Sequence, residues 1–234
     1  GIGLACARAL AEAGHRVLPL DIDAEAIARF QGEFGEGSAV VCDVADAAQV
    51  EAAFHSLIEP HQRVDLLFNN AGVAGPQQPV EDIEVAAWQS TIDTDLNSVF
   101  YLTRLVISLM KSQRSGLILN MSSSAGRYGC PMRSPYVAAK WAAIGLAQTW
   151  AMELGPWNIR VNALALSLTD TPLAERLLSS EERREAAASR HPLKRIGSAE
   201  ETAKSVMYLL SKDSSWMTGQ ILKLDGGISS VKPL

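Results

Sequence analysis

The sequence predicts an α/β protein whose parallel strands are covered by helices on both faces, and three observations carry that expectation. Apolar runs of strand length alternate with helix-length segments throughout the 234-residue chain, the pattern that strand–helix–strand crossovers require. The runs are near-continuously apolar, as in Leu117-Ile118-Leu119-Asn120-Met121, which is how strands buried on both faces read. No repeat, linker or low-complexity stretch divides the chain, so residues 1–234 are expected to form one domain around a substantial core.

Each element has a local reason. Leu4 to Ala13 has helical spacing and stops at Gly14. Arg16-Val17-Leu18-Pro19-Leu20 is a strand candidate ending at Asp21-Ile22-Asp23, with Pro19 a misfit because proline donates nothing to a ladder. A helix is expected from Ala24 to Phe30, and a strand over Ser38 to Cys42 with Asp43 at its end. Asp46-Ala47-Ala48-Gln49 has capping-box spacing, and Val50, Ala53, Phe54, Leu57 and Ile58 form one apolar helix face. A strand from Val64 to Phe68 leads into Asn69-Asn70-Ala71-Gly72. A long helical region follows from about Val85 to Gln113, with a break expected near Asp93 to Ser98. Next come the strand at Leu117, a helix from Pro135 to Leu154 and a strand from Ile159 to Leu164. Residues 167–197 differ in character: Glu181-Glu182-Arg183-Arg184-Glu185 suits a solvated helix, and so long an excursion after a late strand is expected to form a lid over a site. Ser198-Ala199-Glu200-Glu201 again has capping-box spacing and opens a helix to Leu210. The last strand, Gln220 to Leu224, ends at Asp225-Gly226-Gly227.

Composition narrows the function classes. A net charge of −5 gives no electrostatic footprint for nucleic acid or an anionic membrane surface. No apolar run approaches the ~20 residues of a membrane span, and no secretory signal pattern is seen. Cys6, Cys42 and Cys130 are odd in number and far apart, which predicts reduced thiols and a cytoplasmic location. His15, His55, His61 and His191 have no metal-ligand spacing, so they read as structural or solvated and no metal is expected.

The chemistry concentrates between Ser122 and Lys140. Tyr136 and Lys140 are four apart, so on a helix they share a face. Ser123 stands thirteen residues before Tyr136, at the end of a strand. A phenol is a poor acid–base at neutral pH, with an ordinary pKa of about 10, and a nearby ammonium favours its ionised form. A serine hydroxyl that holds an oxygen, beside a phenol that moves its proton, is acid–base chemistry for a carbonyl/alcohol pair, with a hydride carrier supplied from elsewhere. Taken alone, Tyr-x-x-x-Lys is a common helix surface pair; its surroundings make it specific.

In this order and at these spacings, the motifs resemble those of the short-chain dehydrogenase/reductase family over essentially the whole chain. Ser123, Tyr136 and Lys140 match the family's catalytic group, Asn69 to Gly72 its Asn-Asn-Ala-Gly signature, and His191-Pro192-Leu193 through Asp225-Gly226-Gly227 its C-terminal segment. The resemblance implies a doubly wound, seven-stranded, Rossmann-like parallel sheet binding a dinucleotide at the carboxyl ends of its strands. It also implies that Lys140 bonds the nicotinamide ribose and that Tyr136 contacts the cofactor as well as the substrate. Further expected cofactor contacts are Gly1, Ile2, Gly3, Asp21, Ile22, Asp43, Val44, Asn70, Ala71, Gly72, Leu168 and Thr171. Asp21 favours NAD over NADP, because a carboxylate bonds a ribose diol but repels a 2′-phosphate, and no Lys or Arg follows it directly.

Three features depart from the family pattern. The chain opens at the last two glycines of the glycine-rich motif, Gly1-Ile2-Gly3, and a preceding strand of about a dozen residues with its turn is expected to complete the sheet centre. Asp95 takes the place of the family's fourth catalytic residue, an asparagine, with Asn97 two residues on. Leu166-Ser167 replaces the family's Pro-Gly, although Thr171-Pro172 matches. The resulting expectation is an NAD-dependent oxidoreductase acting on a secondary alcohol or its ketone. The alternatives are a 3-oxoacyl thioester reductase and a catalytically silent NAD-binding regulator. A homo-oligomer is expected, a dimer or tetramer, with Trp141, Ile144 and Gln148 on the pairing face. Arg127 and Arg133 read as solvated surface arginines, with contact to an acidic substrate the second reading.

Overall fold

The structure, a computed structural model, describes residues 1–231. Its helices are α1 (Ile2–Glu12), α2 (Ala24–Phe34), α3 (Ala47–Ala53), α4 (Val85–Ile92), α5 (Ser98–Gln113), α6 (Ser134–Leu154), α7 (Glu181–Ser189) and α8 (Ala199–Leu210). The strands are β1 (Leu20–Asp21), β2 (Val40–Val41), β3 (Leu66–Asn69), β4 (Gly116–Ser123), β5 (Ile159–Leu166) and β6 (Ile221–Leu224). None of the described helices is long and apolar enough to cross a membrane.

All pairing among the described strands is parallel, in two sheets ordered β1-β2 and β3-β4-β5-β6. The six strands fall on the six apolar runs of the sequence, in two sheets where one was expected, and no ladder joins β1 or β2 to the other four among the described residues. The ladders of β1 and β2 are shorter than the apolar runs suggest. Pro19 lacks an N–H, yet its carbonyl accepts from Val40 N at 3.1 Å, so pairing begins only there and ends where Cys42 N reaches Asp21 O at 2.8 Å.

The larger sheet is covered on both faces, and alternation along its strands sorts the core. Ile118 of β4 and Ile159, Val161 and Ala163 of β5 pack under α3, α5 and α6. Leu117, Leu119 and Met121, with Leu164 and Leu166, pack on the other face against Cys6 of α1 and Ala203, Val206 and Leu209 of α8. That period of two is the pleat of the strands. Ile144, expected on an exposed pairing face, lies in the first of these clusters. Helix α6 is rich in alanine and apolar on several sides, so spacing alone did not reveal which face the sheet claims. Trp141, Gln148 and Met152 do face outward.

The break expected in the long helix is a π-helical turn, Asp93–Asn97, between α4 and α5. Such turns are frequent at functional sites because the widened turn redirects a side chain. Here it carries Asp95 inward, to 1% exposure. The Ser198 capping box is complete: Glu201 N donates to Ser198 Oγ, and Ser198 N donates to Glu201 Oε2. At Asp46 only half forms. Its carboxylate accepts from Ala48 N and Gln49 N and from Gln49 Nε2, while Gln49 Oε1 accepts from Asp43 N in place of Asp46 N.

Candidate active site

The sequence-selected residues gather at the carboxyl ends of the strands. Asp21 closes β1, Asp43 and Val44 follow β2, Asn69 closes β3 and leads into Asn70-Ala71-Gly72, Ser123 closes β4, and Leu168 follows β5. In parallel sheets the crevice beyond these ends is where ligands bind.

Lys140 projects from α6 into the interior and is only 4% exposed. Its ammonium lies 3.3 Å from Asp95 Oδ2, an ion pair without hydrogen-bond alignment, and donates to Met121 O at 3.5 Å. The other Asp95 oxygen accepts from Val73 N at 2.6 Å. Burial pushes the Asp95 carboxyl above its ordinary value, against Lys140 and the Val73 amide, which pull it down. Gly72 lies close against this pair: a Cβ there would come within 3.1 Å of Asp95 Oδ1 and 3.2 Å of the Lys140 ammonium. Asn97 plays no part in this cluster; its amide donates to Asp93 at 2.6 Å.

Tyr136 is half-buried in the first turn of α6. The Lys140 ammonium stands 5.5 Å from its ring centroid and the Arg133 guanidinium 4.5 Å. Ser123 Oγ accepts from Ala125 N at 3.1 Å, capping a short 3-10 turn, Ser124–Gly126, and leaving the hydroxyl proton available to donate. Next to it, Ser122 Oγ donates to Lys140 O at 2.7 Å, and a Cβ on Gly126 would lie only 2.7 Å from the same carbonyl. This bond and this close approach join the strand end carrying Ser123 to the helix carrying Tyr136 and Lys140. Asn69 and Asn120, paired in register on β3 and β4, add a buried amide bond of 2.9 Å behind the site. Sequence reading assigned Asn120 no role, because cross-strand register is not written locally.

On the dinucleotide side, the residues present fit the expected cofactor. A Cβ on Gly3 would sit 2.8 Å from Asn70 Nδ2, so the start of α1 closely approaches the Asn70 side chain in the loop after β3. Asp21 is exposed and accepts from Asp23 N at 3.0 Å, and no ion pair occupies it among the described residues. Ile22 beside it is 66% exposed. Asp43 accepts from Ala45 N, and Val44 is buried.

After β5, Ser167, the second residue of the Leu166-Ser167 pair that replaces Pro-Gly, meets His191 Nε2 at 2.8 Å. His191 Nδ1 lies 2.9 Å from Ala187 O, which can only accept, so in the neutral ring Nε2 accepts the Ser167 proton. This pair ties the loop after β5 to the end of α7, an anchor that glycine could not supply. Thr171 Oγ1 donates to Thr169 O, and Pro172 Cδ would lie 3.9 Å from a Cβ on Gly1, so the segment after β5 reaches the start of α1. Beyond lies a cavity of about 480 Å³ lined by Ser167, Thr169, His191, Arg195, Glu201 and Asp225 among others. Ser123, Tyr136 and Lys140 do not line it.

Arg133 corrects the sequence reading. It is half-buried, stacked on Tyr136, and donates to Ala74 O at 3.0 Å, whereas Arg127 is exposed as expected.

Residues 1–229 match the family described as enoyl-(acyl carrier protein) reductase. The chain belongs to this family, among the short-chain dehydrogenase/reductase oxidoreductases. It is 38% identical to the 3-oxoacyl-[acyl-carrier-protein] reductase FabG of Thermotoga maritima, over 97% of this chain and 93% of the relative. It is 35% identical to levodione reductase of Leifsonia aquatica, covering 98% and 91%. It is 36% identical to cis-4-hydroxycyclohexanecarboxylate dehydrogenase of Sinomonas cyclohexanicum, covering 99% and 93%. The solved structure of levodione reductase superposes with a TM-score of 0.91 at 34% identity, covering 99% and 95%. Gluconate 5-dehydrogenase from Burkholderia cenocepacia, in complex with NADP and tartrate, gives 0.89 at 31%, covering 99% and 92%. The 3-ketoacyl-(acyl-carrier-protein) reductase from Brucella melitensis, complexed with NADH, gives 0.89 at 28%, covering 98% and 94%.

Proposed function

We propose that the chain is an NAD-dependent dehydrogenase/ketoreductase acting on a secondary alcohol or its ketone, with Ser123, Tyr136 and Lys140 at its centre. The observation that carries this reading is the buried Lys140 ammonium beside the Tyr136 ring, on a helix bonded to the Ser123 strand end. In the reducing direction, Ser123 donates a hydrogen bond to the substrate oxygen and Tyr136 delivers the proton; in the oxidising direction Tyr136 removes it. Lys140 sets its positive charge beside the ring whose hydroxyl exchanges the proton, and Asp95 fixes Lys140 in place. Bound nicotinamide supplies or accepts the hydride. Gly1, Ile2 and Gly3 with Asn70, Ala71 and Gly72 line the cradle for the dinucleotide, Asp43 and Val44 flank the adenine, and Leu168 and Thr171 close over the nicotinamide end. Asp21 and Ile22 carry the preference for NAD, since a 2′-phosphate there meets like charge. Residues 167–197 act as the lid. Exposed Phe100 on α5 and Trp141 on α6 support pairing of subunits through these helices.

A second reading, a 3-oxoacyl thioester reductase, is favoured by the 38% identity to FabG. Nicotinamide absorbance during incubation with NADH or NADPH and a panel of ketones and 3-oxoacyl thioesters tests both. Oxidation of NADH by simple ketones supports the first reading, and thioester-only turnover the second. Binding of NADH without oxidation by any of them would leave a silent binder.

A further inference from the structure

Two cations lie against the Tyr136 ring, and they differ in how they are satisfied. Lys140 is paired with Asp95. Arg133, whose guanidinium centre is 4.5 Å from the ring centroid, is paired with no carboxylate among the described residues. One of its amino groups donates to Ala74 O, while its Nε is buried with no hydrogen-bond partner. Buried donors are rarely left unpaired in a native protein, and a planar guanidinium satisfies them best with a planar, two-oxygen anion. Arg133, Lys140 and Asp95 together leave one positive charge beside the reacting phenol. The cofactor does not account for it: the pyrophosphate belongs at the start of α1 and the adenosine ribose at Asp21, whereas Arg133 stands just before the helix that carries Tyr136.

We infer that Arg133 is a specificity-determining residue and that the substrate is a small oxo- or hydroxycarboxylate whose carboxylate docks on it while its oxygen reaches Ser123 and Tyr136. This rests on the alcohol/ketone reading and names the substrate class within it. The guanidinium lies against the same ring that carries the phenol, so both ends must belong to one short molecule, with the carboxylate a few bonds from the carbonyl.

The test compares 4-oxocyclohexanecarboxylate with its methyl ester, with cyclohexanone as a neutral reference, for wild type, Arg133→Met and Arg133→Lys. In the wild type the acid should exceed the ester in kcat/KM by roughly 10- to 100-fold, the scale of a charge-assisted hydrogen-bonded contact. Arg133→Met should collapse the acid-to-ester ratio toward one, chiefly by raising KM for the acid, and Arg133→Lys should restore part of it. Equal use of acid and ester by wild type overturns the inference without any variant. So does an Arg133→Met protein that loses both substrates in the same proportion, since that is the signature of a purely structural clamp. Turnover of cyclohexanone or the ester with no preference for the acid sinks the carboxylate assignment and leaves the ketone reading standing. No turnover of any of the three, with NADH still bound, sinks both.

Discussion

The two halves of the site are built differently. β4 and β5 pair over eight residues, from Gly116 opposite Ile159 to Ser123 opposite Leu166, and Asp95 and Lys140 are buried beneath their ends. β1 and β2 pair over two residues, and Asp21 and Ile22 stand exposed at the end of that short ladder. The half proposed to be catalytic is therefore bound into the core, where a change of side chain is felt by the fold. The half proposed to hold the adenosine stands on the surface, where a change of side chain disturbs the fold little. On this proposal cofactor preference can change without disturbing the chemistry, and the contrast can be broken or sharpened by substitution.

The largest effect is expected in the catalytic half. Asp95→Leu leaves the Lys140 ammonium buried without its anion and the Val73 amide without its acceptor. Breaking a buried pair costs about 3–5 kcal/mol, read here as a fall in Tm on the order of 10 °C. Asp95→Asn keeps an acceptor for Val73 and should cost clearly less. Thermal melts in which Asp95→Leu matches wild type would break the comparison at its stronger end.

A middle-sized effect belongs to the adenosine half. Wild type should prefer NAD(H) over NADP(H) in kcat/KM by roughly 10²-fold, and Asp21→Ala should narrow that gap to about tenfold with little change in Tm. Equal use of both cofactors by wild type would remove Asp21 from the ribose and leave the Tyr136 chemistry untouched.

The smallest effect lies outside both halves, at the neck of the segment after β5. Glu201 accepts from Arg195 at 2.8 and 2.6 Å and from Ser198 N, with the Arg195 bonds the main cause, and its carboxyl is held down at about 2. Folding therefore favours the ionised form: the stabilisation is present above the ordinary carboxylate range and is lost as pH falls toward about 2. Glu201→Gln should melt slightly below wild type at neutral pH, with the difference vanishing in acid. The pair is exposed, so the gap should be small. A gap that widened on acidification would contradict the assignment.

What the sequence made legible was whatever a few neighbouring residues decide. Ser198 and Glu201 announced their reciprocal cap at a spacing of three, and the polar run Asp93-Thr94-Asp95-Leu96-Asn97 announced a break that proved to be the π turn. Pro19, the misfit in the Arg16–Leu20 run, stands just before β1, which begins at Leu20. The unread features depend on residues far apart in the chain. Ser167 meets His191 across 24 positions, Asn69 meets Asn120 across 51, and Arg133 reaches Ala74 across 59. Periodicity carries no information about such pairs. Ile144 failed for a related reason: on an alanine-rich helix, several faces are apolar and only the sheet beneath decides which is buried.

The central claim is that the Tyr136 phenol moves the substrate's proton in a site otherwise competent to bind cofactor. Its most direct test is Tyr136→Phe, with NADH affinity measured by fluorescence titration and turnover followed on a ketone that wild type reduces. The account predicts affinity close to wild type and kcat lower by at least ~100-fold, the scale of lost general acid–base catalysis. Near-normal kcat in a variant that binds NADH normally would contradict it.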